Sequence, residues 1–213
     1  MLIQLFDKIS FSIDKPKRED IDKLIESQQS LAFSYPEVGS SRDLHPDETE
    51  FLNKKYRINH HRVRLGCGEA AYARAKVAFQ MWAMFRLDWV QFCWEQSPME
   101  PGVNIAVLGC LKRVWFLNVS RIVYCVDEPG PVARFGFGTG TLPGHAVCGE
   151  ERFIIEWDQK EGSVWYEMLS FSQESHPIVK ISGELHAAQK KFMRESGGAM
   201  IRFMREGQIL PWA

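Results

Sequence analysis

The most constraining feature of this sequence is the stretch 134–172, which predicts three consecutive β-strands. The first strand is striped with glycine, the second ends at Trp157 and the third begins at Ser163. A parallel pair of strands needs a connection of a dozen or more residues, and the gaps here are shorter. An antiparallel meander is therefore expected, continuing upstream through the apolar runs 89–94, 103–111 and 114–126.

Helices are predicted on both sides of these strands. The first begins at Pro16 and ends before Pro36, because the residue preceding a proline is pushed out of the helical region. An alanine-rich helix opens at Glu69. Beyond Pro177, apolar residues recur at helical spacing and predict a long C-terminal helix, with Gly207 as its terminator.

Length and composition bound the class of protein. The 213 residues suit one domain, which we divide into an N-terminal extension at 1–55 and a main part at 56–213. The chain has 26 Lys plus Arg against 27 Asp plus Glu and is nearly neutral. It therefore lacks the overall positive charge that would attract nucleic acid. No apolar run approaches the roughly 18 residues of a spanning helix, which argues against a membrane partner. The five cysteines are odd in number and form no CxxC pair, which favours reduced thiols and a cytoplasmic location.

Three glycines leave one face of the first of these three strands without side chains. Because side chains alternate along a strand, Gly136, Gly138 and Gly140 lie on the same face. Such a face serves a bend, the close approach of another segment, or a ligand. A dinucleotide-binding GxGxxG motif is excluded, since Thr141 stands where its third glycine would be and no helix follows. No cofactor is predicted.

Two glutamates stand out in the next two strands. Residues 158–162 predict a hairpin turn that places Trp157 near Ser163. In that register Glu151 and Glu167 share an apolar, aromatic inner face. Two interpretations remain open. Either arginines on neighbouring strands, Arg121 or Arg134, neutralise both carboxylates, or the face lines a cavity in which one carboxyl has a raised pKa.

Other chemical motifs are weak. His60-His61 and Cys67 are metal-ligand types, but no further ligands complete a site, and no metal is predicted. His145 follows a Pro-Gly turn, where it either lines a pocket mouth or hydrogen-bonds the backbone. No signature of a nucleophile and its base is present, so the sequence leaves open whether the protein is an enzyme.

Motifs spread along most of the chain carry a family resemblance. They are Tyr35-Pro36-Glu37-Val38-Gly39, Asn59-His60, Arg62-Val63, Leu65-Gly66-Cys67-Gly68, Trp82 with Phe85 and Trp89-Val90, Arg121-Ile122-Val123-Tyr124, Phe135-Gly136, Gly138-Thr139-Gly140-Thr141-Leu142, Gly144-His145, Gly149-Glu150-Glu151-Arg152-Phe153, Val164-Trp165-Tyr166-Glu167 and Ser170-Phe171-Ser172. On these motifs the chain resembles the uncharacterised family called domain of unknown function nineteen-ninety. The order of elements also resembles the START and birch-pollen-allergen proteins. The resemblance implies an α+β helix-grip fold, in which a curved antiparallel sheet grips a long C-terminal helix, here with an N-terminal helical extension.

Three functions are weighed on this basis. The leading hypothesis is a domain that binds an apolar or amphipathic small molecule between the sheet and the C-terminal helix, and it leaves the oligomeric state open. Its expected ligand-binding residues are Glu151, Glu167, Arg121, His145, Trp165 and Tyr124. One alternative is an enzyme of the cyclase or hydrolase type that uses the Glu151 and Glu167 carboxylates. The other, implied by plant relatives, is a membrane-associated pore or a structural module.

Overall fold

A computed structural model describes residues 3–5, 9–47, 52, 54–175 and 184–206 of the chain. This part contains nine strands, three α-helices and one 3₁₀ turn. The strands are β1 (Ile3–Leu5), β2 (Ile9–Ser12), β3 (Arg57–Cys67), β4 (Val90–Cys93), β5 (Asn104–Leu111), β6 (Val114–Glu128), β7 (Val132–Thr141), β8 (Val147–Asp158) and β9 (Ser163–Glu174). The helices are α1 (Arg18–Ser27), α2 (Glu69–Gln80) and α3 (Glu184–Glu206), and the 3₁₀ turn is Ala83–Phe85.

One antiparallel sheet organises the molecule. Strands β4 to β9 pair in sequence order as a meander, and β3 returns to pair with β9. The short strands β1 and β2 add to β6 beside the meander. The sheet curls, and α3 packs on β3 and β9 and against α2 and the 3₁₀ turn. The predicted helix-grip arrangement is confirmed.

The helices differ from their predicted bounds for local reasons. Helix α1 ends at Ser27, well before Pro36, because the chain then turns to cross the sheet. Helix α2 starts at Glu69, as the sequence predicts. Helix α3 is continuous through Gly197, where an added Cβ would lie 3.0 Å from Val63 of β3. Glycine therefore lets the helix approach the sheet. The predicted terminator Gly207 and the residues 176–183 lie outside the described part.

The hairpin between β8 and β9 has a different register from the predicted one. Trp157 pairs with Val164, not Ser163, and Glu151 pairs with Ser170. Glu167 pairs with Ile154 and consequently lies on the other face of the sheet. The prediction that Glu151 and Glu167 share one inner face is wrong. A slip of one residue moves every side chain of a strand to the opposite face.

The sheet is covered on both faces. On the inner face, α2, the 3₁₀ turn and α3 bury an aromatic core in which the rings of Phe137 and Phe153 stack 5.1 Å apart. On the outer face, α1 covers one end through Ile21, which packs with Leu108 and Leu117. Residues 33–44, hereafter the outer segment, cover the other end.

The outer segment explains one glycine of the β7 stripe, and Tyr124 explains a second. A Cβ on Gly140 would collide with the Tyr35 hydroxyl and lie 2.8 Å from the Phe33 ring. A Cβ on Gly138 would overlap the ring of Tyr124, which lies under the same segment. Close approach of another segment is therefore observed at Gly140, whereas Gly138 makes room for a side chain of the neighbouring strand β6.

Candidate functional site

A cavity of about 120 Å³ lies between the inner face of the sheet and the first half of α3. Most of the space beneath the helix is filled by the aromatic core, and the cavity occupies one end of it. Its walls are mainly aliphatic and aromatic, with Phe85, Trp89 and Phe116 among them. Leu185 and Phe192 of α3 close the helix side.

Glu151 borders this cavity from the middle of β8. In the part of the chain that the structure describes, its carboxyl group has no hydrogen bond and no ion pair. Burial of the carboxyl raises its pKa from 4.5 to about 7, because a charge without a partner is poorly stabilised in apolar surroundings. The cavity therefore contains an acid that is partly protonated at neutral pH.

His145 also borders the cavity, from the turn before β8. Its Nδ1 accepts a hydrogen bond from the backbone N–H of Val147 over 3.1 Å. Burial lowers its pKa to about 4, against the opposing effect of that bond. At neutral pH the ring is uncharged, and because Nδ1 is an acceptor, the proton is on Nε2. Both possibilities raised by the sequence, a pocket residue and a backbone contact, hold for this histidine.

The remaining polar lining comes from the strands and α3. Asn118, Ser120 and Thr139 border the cavity from β6 and β7. Gln189 of α3 donates to the Ser172 hydroxyl over 3.0 Å, which fixes the helix against β9. The cavity thus combines an apolar wall with polar groups, the arrangement typical of small-molecule sites.

Glu167 is not in the cavity, contrary to its predicted role. It lies on the outer face, where Arg152 donates to it over 2.6 Å and Arg62 lies 3.7 Å away. Burial pushes the pKa of Glu167 up, but the Arg152 charge and hydrogen bond outweigh it, and the pKa falls below 4.5. An arginine neutralises this carboxylate, but the predicted partners are wrong: Arg121 lies at the end of α1, and Arg134 lies 3.6 Å from Glu128. An acid–base pair of Glu151 and Glu167 is excluded by their opposite faces.

Three other predicted ligand-binding residues also lie away from the cavity. Arg121 caps the end of α1, donating to the carbonyls of residues 28, 29 and 31 over 2.8–2.9 Å. Tyr124 packs under the outer segment, with its hydroxyl 2.5 Å from Ser41 Oγ. Trp165 lies on the outer face, where the Arg62 guanidinium carbon is 4.9 Å from the centroid of the Trp165 ring. Of the six predicted residues, the structure brings only Glu151 and His145 to the cavity.

A buried carboxylate on the outer face was missed by the sequence reasoning. Glu150 is fully buried and accepts hydrogen bonds from the Tyr35 hydroxyl over 2.5 Å and from the backbone N–H of Gly39 and Ser41 over 2.7 and 2.8 Å. The Ser41 hydroxyl also donates to it. Arg152, two positions on, donates to carbonyls of the same segment over 2.8–3.0 Å. These contacts anchor the outer segment.

A signal for this anchor was present in the sequence. Glu150 and Arg152 belong to one family motif, and Tyr35 and Gly39 belong to another. A turn-rich segment presents free backbone N–H and C=O groups, which an acid and a base on one strand face can satisfy together.

Neither a cluster of metal-ligand side chains nor a helix that could span a membrane is found in the described residues. They contain no group of three or more His, Cys, Asp or Glu side chains placed to hold a metal ion. None of their helices is long and apolar enough to cross a bilayer.

Comparison with known proteins identifies relatives of unknown function. The family model described as "Domain of unknown function (DUF1990)" matches residues 34–199. A UPF0548 protein of Arabidopsis thaliana is 35% identical over 91% of this chain and 97% of its own length. A UPF0548 protein of Dictyostelium discoideum is 31% identical over 93% of this chain and 97% of its own length. A third, from Deinococcus radiodurans, is 34% identical over 90% and 98%.

Solved structures show a looser likeness. Ara h 8.0201 aligns with a TM-score of 0.48 at 11% identity, over 71% of this chain and 99% of its own. Human STARD10 aligns with a TM-score of 0.39 at 9% identity, over 93% of this chain and 87% of its own. The fold stated above rests on the sheet and helices of this chain.

Proposed function

This chain belongs to the DUF1990 family, and we propose that it binds a small, mostly apolar molecule in the cavity beneath α3. The observation that carries the proposal is the Glu151 carboxyl, which faces an apolar cavity without a partner among the described residues. The Glu151 side chain is half-buried, and the desolvation of its carboxyl costs free energy when the group is charged. A ligand that completes its hydrogen bonding recovers that cost.

The cavity volume limits the ligand. At about 120 Å³ the space is close to that of an apolar cavity, roughly 150 Å³, that admits benzene. The ligand, or the part of it that enters, is therefore the size of a single ring. Glu151 and the Nε2–H of His145 supply polar contacts, and the aromatic walls supply apolar ones.

We also propose that the protein works in the cytoplasm. All five cysteines are free, including the buried Cys93, whose pKa burial raises to about 12. A thiol with so high a pKa carries little thiolate and is slow to oxidise. The location can be checked by imaging a fluorescent fusion in intact cells, and fluorescence confined to an organelle would contradict it.

The binding proposal is tested by titrating toluene, followed by amide NMR shifts. We expect the shifts to concentrate on β5, β6 and β8, which line the cavity, and the melting temperature to rise because a ligand of the folded state stabilises it. Mass spectrometry of the protein purified under native conditions would reveal a retained natural ligand.

Two alanines on α3 provide a matched pair of variants. Ala188 lines the cavity and is 9% exposed, whereas Ala187 is exposed on the same helix. Ala188→Leu fills part of the cavity and should abolish toluene binding, while Ala187→Leu should preserve it. Equal binding by both variants, or no binding and no retained ligand in the unmodified protein, would overturn the proposed function.

A further inference from the structure

We infer that the natural ligand is a cation in which a protonated amine is attached to an apolar, ring-sized body. The inference rests on the proposed function, because it names the class of molecule that enters the same cavity. It is argued from the charges that line the cavity and from the cost of the alternatives.

The cavity lining contains one acid and no base that is charged at neutral pH. Among the described lining residues Glu151 is the sole carboxylic acid, and no Lys or Arg is present. His145 is uncharged, since burial lowers its pKa to about 4. Tyr166, the other titratable group that Glu151 affects, has a pKa raised by burial and is also neutral. The charge that these lining residues can carry is therefore negative. Lys191, which is not among them, lies over the Trp89 ring and pairs with Glu195 over 3.9 Å.

The aromatic walls supply apolar contact for the body of the ligand. Phe85, Trp89, Phe116 and Phe192 border the cavity. The Phe85 ring stacks with Phe92 and Phe192, and Lys191 Nζ lies 4.7 Å from the Trp89 ring centroid, so the preference for a cation comes from Glu151. The Trp89 ring is held in place by its Nε1–H, which donates to Glu195 over 2.6 Å.

Other ligand charges fit less well. A ligand carboxylate would put a second anion beside Glu151 in apolar surroundings, where like charges repel strongly. A neutral alcohol could bind, but it would leave the acid protonated and would gain only an uncharged hydrogen bond. An ammonium group gains a charge-assisted hydrogen bond, which is about twice as strong.

Amine binding must also move a proton. When the ammonium pairs with Glu151, the carboxylic acid becomes a carboxylate and its proton passes to the solvent. The ligand keeps its own proton, so one proton is released for each molecule bound to a protonated site. Release should be nearly complete at pH 6 and small at pH 8.

Three probes of matched size test the inference by calorimetry. Benzylamine, benzyl alcohol and benzoate differ in charge and share one ring. At pH 8 we expect benzylamine to bind at least about tenfold more tightly than benzyl alcohol, and benzoate not to bind. At pH 6, titration in two buffers of different ionisation enthalpy should show proton release with benzylamine alone.

Variants of two glutamates test whether Glu151 causes the preference for benzylamine and the proton release. Glu151→Gln keeps the side-chain shape and removes the charge, so it should abolish the preference for benzylamine and the proton release while retaining benzyl alcohol. Glu161→Gln, in the exposed turn between β8 and β9, should change neither.

The outcomes separate this inference from the proposed function. If benzyl alcohol binds as tightly as benzylamine, or if proton release persists in Glu151→Gln, the cationic ligand is wrong and the cavity remains a binding site. If none of the three probes binds and toluene also fails, both the ligand class and the binding function are wrong.

Discussion

Adjacent glutamates on β8 have opposite surroundings, because successive side chains of a strand point to opposite faces. Glu150 accepts four hydrogen bonds from the outer segment and is satisfied. Glu151 faces the cavity and has no partner in the described part of the chain. Glu150 therefore stabilises the fold, whereas Glu151 costs stability when it is ionised. A carboxyl that occupies such a position is a good candidate for binding.

Replacing Glu151 should reveal this cost as a pH dependence. The unfolded chain loses the proton near pH 4.5 and the folded chain near pH 7, so the contribution of Glu151 to stability falls as the pH rises through this window. Glu151→Gln should match the unmodified protein at pH 4. At pH 8 it should be more stable, by up to about 3 kcal/mol.

Urea unfolding at the two pH values measures the difference. His145 titrates in the same range but is present in both proteins, so its effect cancels in the comparison. Glu161→Gln is the control and should show no such pH dependence. A stability difference for Glu151→Gln that is equal at pH 4 and pH 8 would contradict the raised pKa.

The two candidate cavity residues could be found from the sequence for different reasons. Glu151 falls on the apolar face of β8 in any pairing, because the alternation within its own strand sets that face. His145 follows a turn at a strand end, a common position for pocket residues. Glu167 could not be placed, since its face depends on the register with β8.

At the level of elements, the register of β9 could not be read from the sequence because both of its faces are buried. Leu169 and Phe171 lie under the outer segment, and Tyr166 and Met168 lie under the helices. Hydrophobic alternation fixes the register of a strand when one face is exposed to solvent and the other is buried. Here the alternation predicts the strands and the antiparallel meander. It does not distinguish two registers of β8 and β9 that differ by one residue.

The outer segment and the glycine stripe of β7 should behave as one unit. In Gly140→Ala the new methyl group would displace Tyr35 and Phe33, and the Tyr35 hydrogen bond to Glu150 would be strained or lost. We expect a loss of about 3 kcal/mol in the free energy of unfolding, from overpacking and the weakened bond together.

Gly109→Ala is the matched control, because a Cβ at this position of β5 has no atom within 4 Å. It should be close to neutral in the same denaturation experiment. Hydrogen exchange adds a local measurement, since the amides of Gly39 and Ser41, which donate to Glu150, should lose protection in Gly140→Ala alone. Equal stability of the two variants would show that the segment adapts without cost.

For the whole molecule, the main question is whether the part 56–213 is a folding unit. The division at residue 55 was predicted from composition and stays a prediction. The family model begins at residue 34, inside the predicted extension. The contacts of the outer segment run to the centre of the sheet, where its residue Tyr35 packs on Phe171 with ring centroids 5.7 Å apart. The outer segment covers a second core on the outer face of the sheet and is therefore part of the folded domain.

Truncation provides the test at this scale. The fragment 56–213 would lose α1 and the outer segment, exposing the apolar outer face of the sheet. Leu117, Leu169 and Phe171, each at most 1% exposed in the full chain, would become accessible to water. Each such side chain stabilises the fold by about 1.5–3 kcal/mol, and a typical domain has only about 5–15 kcal/mol in total. We expect 56–213 to aggregate or to unfold without a cooperative transition.

The fragment 14–213 is the control, since it keeps α1 and the outer segment and removes only the edge strands β1 and β2. Calorimetry should give it a cooperative transition close to that of the full chain. The reason is topological: β2 pairs with one end of β6 and β1 pairs with β2 alone, whereas the outer segment holds the buried Glu150 and Arg152 near the middle of the sheet. A soluble 56–213 fragment that melts cooperatively within a few degrees of 14–213 would show that the inner core suffices for folding, and that the outer segment serves another purpose.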